Sequence, residues 1–180
     1  MLLVLLVVSL AACGLFDEGD VWKEEVRLMN GELLVLDRLN RWGESGDLSL
    51  GHGPQTWAEM HWEYRGKQYS WAQRGVMPHA LQLDGQGRFY IVSTIPYCWA
   101  WRERGEPKSF YVVFRFEDGG WKEIPLTEID VNTVFNLAAT SSPPDTNLRT
   151  PYQKETDWKY KDHSVNYMKG IVVNEGAGCY

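Results

Sequence analysis

Apolar and polar side chains alternate along most of this chain, and a period of two is typical of a half-buried β-strand and not of an α-helix. In residues 109–116 every second position carries a large apolar side chain: Phe110, Val112, Phe114 and Phe116. Residues 21–29 alternate in the same way, with Trp22, Val26 and Leu28 on one face and Lys23, Glu25 and Arg27 on the other. The chain is therefore expected to consist mainly of β-strands.

Turn residues separate the alternating runs at short intervals, which is typical of β-hairpins. Asn30-Gly31 stands between the run 21–29 and the run 32–39. Further hairpins are predicted from 57–64 with 68–73, from 79–83 with 88–95, and from 109–116 with 121–126. Eight or nine strands in this order predict a mainly β fold, an antiparallel β-sandwich or barrel with at most one or two short helices.

The rest of the chain is assigned more coarsely. Residues 131–139 are a candidate short helix, and 140–150 are expected to form a surface loop because Ser, Pro, Asp and Asn cluster there. Residues 154–161 are assigned to a helix and 170–173 to a closing strand. No internal repeat is visible, and one domain is the natural count for this length.

Composition narrows the class of partner. Of 180 residues, 44% are hydrophobic and 23% charged, which is ordinary for a globular protein. The formal net charge is −6, and proteins that bind nucleic acids normally present a basic face. Nucleic acid is therefore not an expected partner.

The amino terminus carries the most specific motif. Every residue from Met1 to Ala12 is apolar except Ser9, and the first charged residue is Asp17. A membrane span needs roughly 20 apolar residues, whereas a run of about 7 to 15 followed by small residues is the core of a secretory signal. The run Leu10-Ala11-Ala12-Cys13-Gly14 resembles the lipobox of bacterial lipoproteins.

This resemblance implies a division of the chain and a location. In that family the Cys thiol is acylated, the chain is cleaved directly before it, and the new α-amine is acylated. Residues 1–12 would then be the signal peptide, 13–20 the lipidated Cys13 with a short tether, and 21–180 a single extracytoplasmic domain. Acyl chains contribute about 0.8 kcal/mol per buried CH₂, so they are expected to hold the protein on the membrane. Gly14, in place of Asp, implies sorting to the outer membrane, facing the periplasm.

Two other interpretations of the amino terminus stay open. The run could belong to an ordinary secreted protein that is cleaved nearby, or to a buried first strand. No Lys or Arg precedes it, although signal peptides usually begin with positive charge, which leaves open that translation starts further upstream.

Residues 20–28 with their Asn-Gly hairpin are similar to uncharacterised bacterial cell-envelope lipoproteins that open in the same way after the tether. That resemblance implies no known activity.

The cysteine count is consistent with an oxidising compartment. If Cys13 carries lipid, Cys98 and Cys179 remain, and an even remainder in such a compartment usually forms a disulfide. A Cys98–Cys179 bond would also hold the glycine-rich carboxyl terminus. The alternative is a buried free Cys98 with a loose tail. A catalytic thiol is disfavoured because the sequence places no His beside Cys98.

An aromatic strip is the first candidate ligand surface. Tyr97, Trp99 and Trp101 lie at i, i+2 and i+4, so an extended backbone would place the three rings on one face. Stacked rings beside Arg102 and Glu103 could receive a glycan or a partner's side chains. The alternative is that the rings fill the core, because a small β-protein with nine Trp needs large inward side chains.

The strand 57–64 is the second candidate site. Alternation places Glu59, His61 and Glu63 on the face of Trp57, and a His between two carboxylates is compatible with a divalent cation or an acid–base pair. The solvent face of any antiparallel strand looks the same, however. The other histidines, His52, His79 and His163, form no ligand spacing. We therefore predict no metal site and no cofactor.

No motif of a serine hydrolase, phosphate loop or penicillin-binding enzyme is present, so no catalytic residue is assigned. The first hypothesis is a lipid-anchored, non-catalytic protein-binding or structural module whose partner is another envelope or secreted protein. The alternative is a module that binds or cleaves cell-wall glycan through Tyr97, Trp99 and Trp101. A groove lined by these rings would favour the alternative, and buried rings would favour the first hypothesis.

Overall fold

The computed structural model describes residues 19–43, 55–130, 132–133 and 135–137, and the backbone of 148–149. Strands dominate this part of the chain, as alternation predicts. They are β1 (Asp20–Arg27), β2 (Leu33–Trp42), β3 (Gln55–Tyr64), β4 (Lys67–Arg74), β5 (Met77–Leu83), β6 (Phe89–Thr94), β7 (Tyr111–Glu117), β8 (Gly120–Ile124) and β9 (Leu148–Arg149). One short helix, α1 (Cys98–Glu103), stands between β6 and β7, and a 3₁₀ turn covers Leu126–Glu128.

The strands form two sheets of consecutive hairpins. The first sheet has the order β4-β3-β2-β1-β9 and the second the order β5-β6-β7-β8. Pairing is antiparallel throughout, except that the two residues of β9 pair in parallel with β1. Each strand from β1 to β4, and each from β5 to β8, pairs with its neighbour in sequence. Short turns join β1 to β2, β3 to β4, β5 to β6 and β7 to β8, whereas longer connections lead from β2 to β3 and, through α1, from β6 to β7. The predicted mainly β, antiparallel sandwich is confirmed.

The main core lies between the two sheets. Trp22, Val26 and Leu28 are buried while Lys23 and Arg27 are exposed, as the alternation in 21–29 predicts. Aromatic rings meet across the sheets: Trp71 lies 5.6 Å from Phe114, centroid to centroid, and Trp62 lies 5.3 Å from Phe89. Besides Val26, Leu28 and the four rings just named, this core contains Leu34, Leu36, Ala58, Met60, Val76, Leu81, Ile91, Ile95, Ala100, Val112 and Leu137.

The second sheet is buried on both faces. Tyr90, Val92 and Val113 point away from the first sheet yet are almost inaccessible, and they form a smaller cluster with Ala80 and Ile129. The chain after β8 covers this cluster, and the Tyr90 hydroxyl lies 2.8 Å from the Thr133 hydroxyl. Simple alternation does not predict the cluster, since a sheet that is covered on both sides carries apolar residues at successive positions.

The predicted helix at 131–139 is wrong for the residues described there. Asn132, Thr133 and 135–137 form a turn and irregular backbone. The Asp130 carboxylate accepts from the Asn132 N–H (2.8 Å), and the Thr133 hydroxyl donates to the Asp130 carbonyl (2.6 Å). Short polar side chains that bond nearby backbone in this way compete with a helix. Within the expected loop 140–150, Leu148–Arg149 form β9, and 154–161 and 170–173 lie outside the described residues.

Helix α1 packs against the corner where the chain passes from one sheet to the other. Only Gly75 and Val76 separate β4 from β5. Gly75 has φ +69°, and a Cβ built on it would lie 2.6 Å from the Cβ of Ala100 in α1. Glycine therefore meets two demands here: a left-handed backbone and the close approach of the helix.

Candidate functional site

The aromatic strip does not form. Trp99 and Trp101 lie in α1 and Tyr97 directly precedes it, so the extended backbone that would place the three rings on one face is replaced by a helix. Trp99 stacks on Tyr97 (centroids 6.2 Å apart, interplanar angle 7°), whereas Trp101 stacks on Phe110 (6.3 Å, 24°). The three residues therefore divide between two separate ring pairs.

All three rings are half-buried against the main core. The Trp101 indole N–H donates to the Pro107 carbonyl (3.0 Å), and the Tyr97 hydroxyl accepts from the backbone N–H of Gln55 (2.8 Å). Neither of the two clefts described below is lined by these rings. Their packing favours the core interpretation over a ligand platform, although it does not test ligand binding.

Strand β3 presents the predicted polar face to solvent. Ala58, Met60 and Trp62 are buried, and Glu59, His61 and Glu63 point away from the core. A ring nitrogen of His61 lies 2.5 Å from the Glu59 carboxylate. No group of three or more His, Cys, Asp or Glu side chains suited to a metal ion occurs among the described residues.

Glu59 also accepts a hydrogen bond from the Trp57 indole (3.1 Å). Partial burial would raise the pKa of Glu59, but the hydrogen bonds from Trp57 and His61 and the charge of Arg41 hold it below its usual range. Glu59 is therefore an ionised acceptor fixed against the indole edge. Such a carboxylate can receive hydroxyl or amide donors from a ligand.

A row of three side chains crosses the outer face of the first sheet, the face turned away from the second sheet. Arg41 of β2 and Arg74 of β4 each lie directly opposite Trp57 of β3. With Thr56 and Glu59 the row lines an open cleft of about 370 Å³, here called the outer-face cleft. Alternation alone places Trp57 on this face, but only the strand register brings the two arginines beside it.

Arg74 is held in place from the α1 side. Its guanidinium lies 4.9 Å from the Trp99 ring centroid and 3.4 Å from the Glu103 carboxylate. The Arg41 side chain, in contrast, is exposed and forms no ion pair with any residue that the structure describes. Arg74 is thus engaged by α1, whereas the exposed Arg41 guanidinium is accessible to a ligand.

A β-bulge and a buried amide network shape this end of the sheet. Trp57 pairs with Arg41 while Gln55 pairs with Trp42, so Thr56 is an extra residue in β3. On the inner face the Gln55 side-chain NH₂ donates to the side-chain Oδ1 of Asn40 (3.1 Å). Bulges redirect side chains at sheet edges and beside binding sites. Here the bulge puts Gln55 inside and Trp57 outside.

A buried ion pair lies deeper on the inner face. The Arg38 guanidinium donates to the Glu24 carboxylate (2.7 Å), and the side chains are 1% and 0% exposed. The same guanidinium lies 4.8 Å from the Trp22 ring centroid. Sequence reasoning missed this pair, although Glu24 shares the parity of Trp22 and Val26 and so belongs to the inward face.

A larger cleft, of about 500 Å³, opens between the β3–β4, β5–β6 and β7–β8 turns. Its charged side chains are already engaged. The Lys67 ammonium lies 5.1 Å from the Tyr69 ring centroid and 4.8 Å from that of Phe116, and Glu117 accepts from both Arg88 (3.2 Å) and Arg115 (2.5 Å). This cleft therefore offers a ligand less unsatisfied charge than the outer-face cleft.

The remaining predicted residues are less informative. The His79 ring stacks on Phe135 (5.0 Å) and bonds the Thr94 hydroxyl (2.8 Å), which accounts for it as a structural residue. His52, His163, Cys13 and Cys179 lie outside the described residues, so lipidation and the Cys98–Cys179 disulfide stay predictions. In the part of the chain that is described, no helix has the length and apolar composition to cross a membrane.

Comparison with protein-family models, with curated proteins and with solved structures finds no match for this chain.

Proposed function

We propose that this chain is a lipid-anchored, non-catalytic binding module of the bacterial cell envelope, with the outer-face cleft as its binding surface. The lipobox-like run Leu10–Cys13 supports the anchor and the location. The observation that carries the binding role is the row Arg41–Trp57–Arg74, in which a half-exposed tryptophan on β3 lies between arginines on the two neighbouring strands.

The row contributes little to the stability of the sheet. A large indole on the solvent side of a strand adds little to the core, and Arg41 forms no ion pair with any residue that the structure describes. The surrounding sheet fixes all three side chains on adjacent strands, which is the arrangement that makes a binding site precise. A purely structural module needs none of these features.

A protein partner in the envelope is the second candidate. It is favoured by apolar side chains exposed on β2 and the turn before it: Met29 (44%), Leu33 (55%) and Val35 (50%). Exposed apolar residues that are grouped on one face mark interaction surfaces more often than scattered ones. If a partner protein binds this face, chemical cross-linking in cells should join the partner to the wild-type chain. Replacing Leu33 and Val35 by Thr should then abolish the cross-linked product.

The anchor is tested by Cys13→Ser. We expect the wild-type chain to incorporate a labelled fatty acid and to sediment with membranes, and the variant to lose the label and stay uncleaved or soluble. Unchanged fractionation of the variant, with no label on the wild type, would reject the lipoprotein proposal.

The disulfide is tested by mass mapping of the chain without reduction. A linked peptide pair that contains Cys98 and Cys179 is expected. Free thiol at both positions would show that the pairing is wrong.

The binding surface is tested in intact cells with a photo-reactive residue at Ala72, which lies opposite Glu59 on β4. Gln68 is the matched control, because it has the same strand and the same face but lies opposite Glu63 at the far end. We expect adducts from position 72 and few from position 68. Equal yields, or none at position 72, would contradict a ligand at the outer-face cleft.

A further inference from the structure

The size of the outer-face cleft limits its occupant. About 370 Å³ lies within the range of roughly 300 to 1,000 Å³ that small-molecule sites occupy. A stable protein–protein interface, in contrast, buries about 800 Å² on each partner. A cleft of this volume can hold one or two sugar rings or a short peptide segment.

The walls of the cleft favour an anion. Arg41 and Arg74 lie two strand spacings apart, about 10 Å between backbones, with Trp57 between them. A guanidinium binds a carboxylate through two parallel N–H···O bonds, which makes Arg the usual residue for that group. Arg74 already lies beside Glu103 and against Trp99, so Arg41 is the guanidinium that can take the carboxylate.

The floor of the cleft favours a polyol. The Trp57 indole N–H is taken by Glu59, so the ring offers its flat apolar face and no donor. The C–H face of a pyranose can pack on such a ring. Glu59 is acceptor-only when ionised, and it stands where ring hydroxyls can donate to it. A cleft with both cations and an acceptor carboxylate suits a ligand that combines a carboxylate with hydroxyl donors.

We propose that the outer-face cleft binds a carboxylate-bearing sugar of an envelope glycan. The Arg41 guanidinium holds the sugar carboxylate, Trp57 packs on the ring, and Glu59 accepts from its hydroxyls. This inference rests on the proposed function, since it names the ligand of the same surface. It differs from the glycan hypothesis based on Tyr97, Trp99 and Trp101, because none of those residues lines the cleft.

The test is a titration of the purified full-length chain with matched probes, in which tryptophan fluorescence reports binding. N-acetylmuramic acid and N-acetylglucosamine differ by one lactyl carboxylate, and trigalacturonate and its methyl ester differ by their charge. We expect both acids to bind and both neutral probes to bind at least about tenfold more weakly. Added salt should weaken the binding of the acids because the site is open to solvent.

Variants identify the site. Arg41→Gln and Trp57→Ala should each weaken binding of the acids by about tenfold or more. Arg27→Gln is the matched control, because Arg27 is also exposed on the outer face of the first sheet but lies outside the cleft, and it should leave binding unchanged. Normal melting curves of Arg41→Gln and Arg27→Gln exclude a folding defect.

Other results overturn the inference in distinguishable ways. If a tetra-aspartate peptide binds as tightly as the sugar acids, and Arg41→Gln weakens it equally, the ligand is an acidic peptide and only the sugar assignment fails. If neither sugar acid binds while Ala72 still forms adducts in cells, the sugar assignment again fails and the proposed function stands. If binding and adducts are both absent, both proposals are wrong.

Discussion

The buried ion pair between Glu24 and Arg38 should dominate the stability of the first sheet. Both side chains are at most 1% exposed, so the ion pair between them compensates part of the hydration that each charge has lost. Glu24→Gln removes one charge at nearly constant volume and leaves the Arg38 guanidinium buried beside a neutral amide. We expect a loss of about 3 to 5 kcal/mol from a total of about 5 to 15 kcal/mol. At about 2 to 4 °C per kcal/mol, Tm should fall by roughly 6 to 20 °C.

The same hairpin supplies a matched control. Lys23 and Asp37 are also paired, at 2.6 Å, but on the outer face, with exposures of 56% and 57%. An exposed pair contributes about 0 to 1 kcal/mol, so Asp37→Asn should change Tm little. Urea unfolding followed by tryptophan fluorescence measures both variants on one scale.

A double variant separates the charge effect from packing. Glu24→Leu combined with Arg38→Met replaces the pair by apolar side chains, a change that is often neutral or stabilising. We therefore expect it to be more stable than either single variant. Equal losses of stability in Glu24→Gln and Asp37→Asn would refute the reasoning. So would a double variant whose loss of stability equals the sum of the losses in Glu24→Leu and Arg38→Met.

Three further outcomes are expected. Gly75→Ala should lower the free energy of unfolding by at least about 2 kcal/mol more than Gly66→Ala, because both glycines have positive φ but only Gly75 lies against α1. Equal losses of stability would contradict that contact. Trp101→Ala should cost about 2 kcal/mol, since the ring is half-buried, and an unchanged Tm would show that the ring is not part of the core. Hydrogen bonds from Tyr64, Asn30 and Arg65 lower the pKa of Glu32 to about 2. The free energy of unfolding of the wild type should therefore exceed that of Glu32→Gln fully above about pH 4.5, and the excess should be lost as the pH falls through 2. A difference in stability that does not change with pH would refute this.

The hairpins could be predicted because each depends on neighbours in sequence. Alternation assigns the inward residues of a strand, and a turn such as Asn30-Gly31 then sets which strand lies beside it. Helix α1 follows a different rule. The spacing of Trp99 and Trp101 fits a strand equally well, and what selects the helix is tertiary contact, with Ala100 buried against the corner at Gly75. Local pattern carries no information about that contact.

The candidate site escapes sequence reasoning for the same reason. Its three central residues lie on three strands, and their alignment depends on the register of two pairings and on one bulge. The bulge at Thr56 breaks the alternation, so that Gln55 is buried although Trp57, two positions on, points outward. Periodicity assigns both residues to one face of the strand and therefore does not predict the bulge that places them on opposite faces.

The bulge also ties the site to the core. Gln55 is held inside by the Asn40 amide and, through its backbone N–H, by the Tyr97 hydroxyl. Gln55 and Trp57 flank the extra residue of the bulge, so the contacts of Gln55 help to fix the backbone that carries Trp57. The tyrosine that leads into α1 is thus a positioning group for the outer-face cleft, although its ring does not line it. The aromatic segment 97–101 therefore contributes to the proposed site from behind the sheet, by fixing a bulge and orienting Arg74, and not by presenting its rings to a ligand.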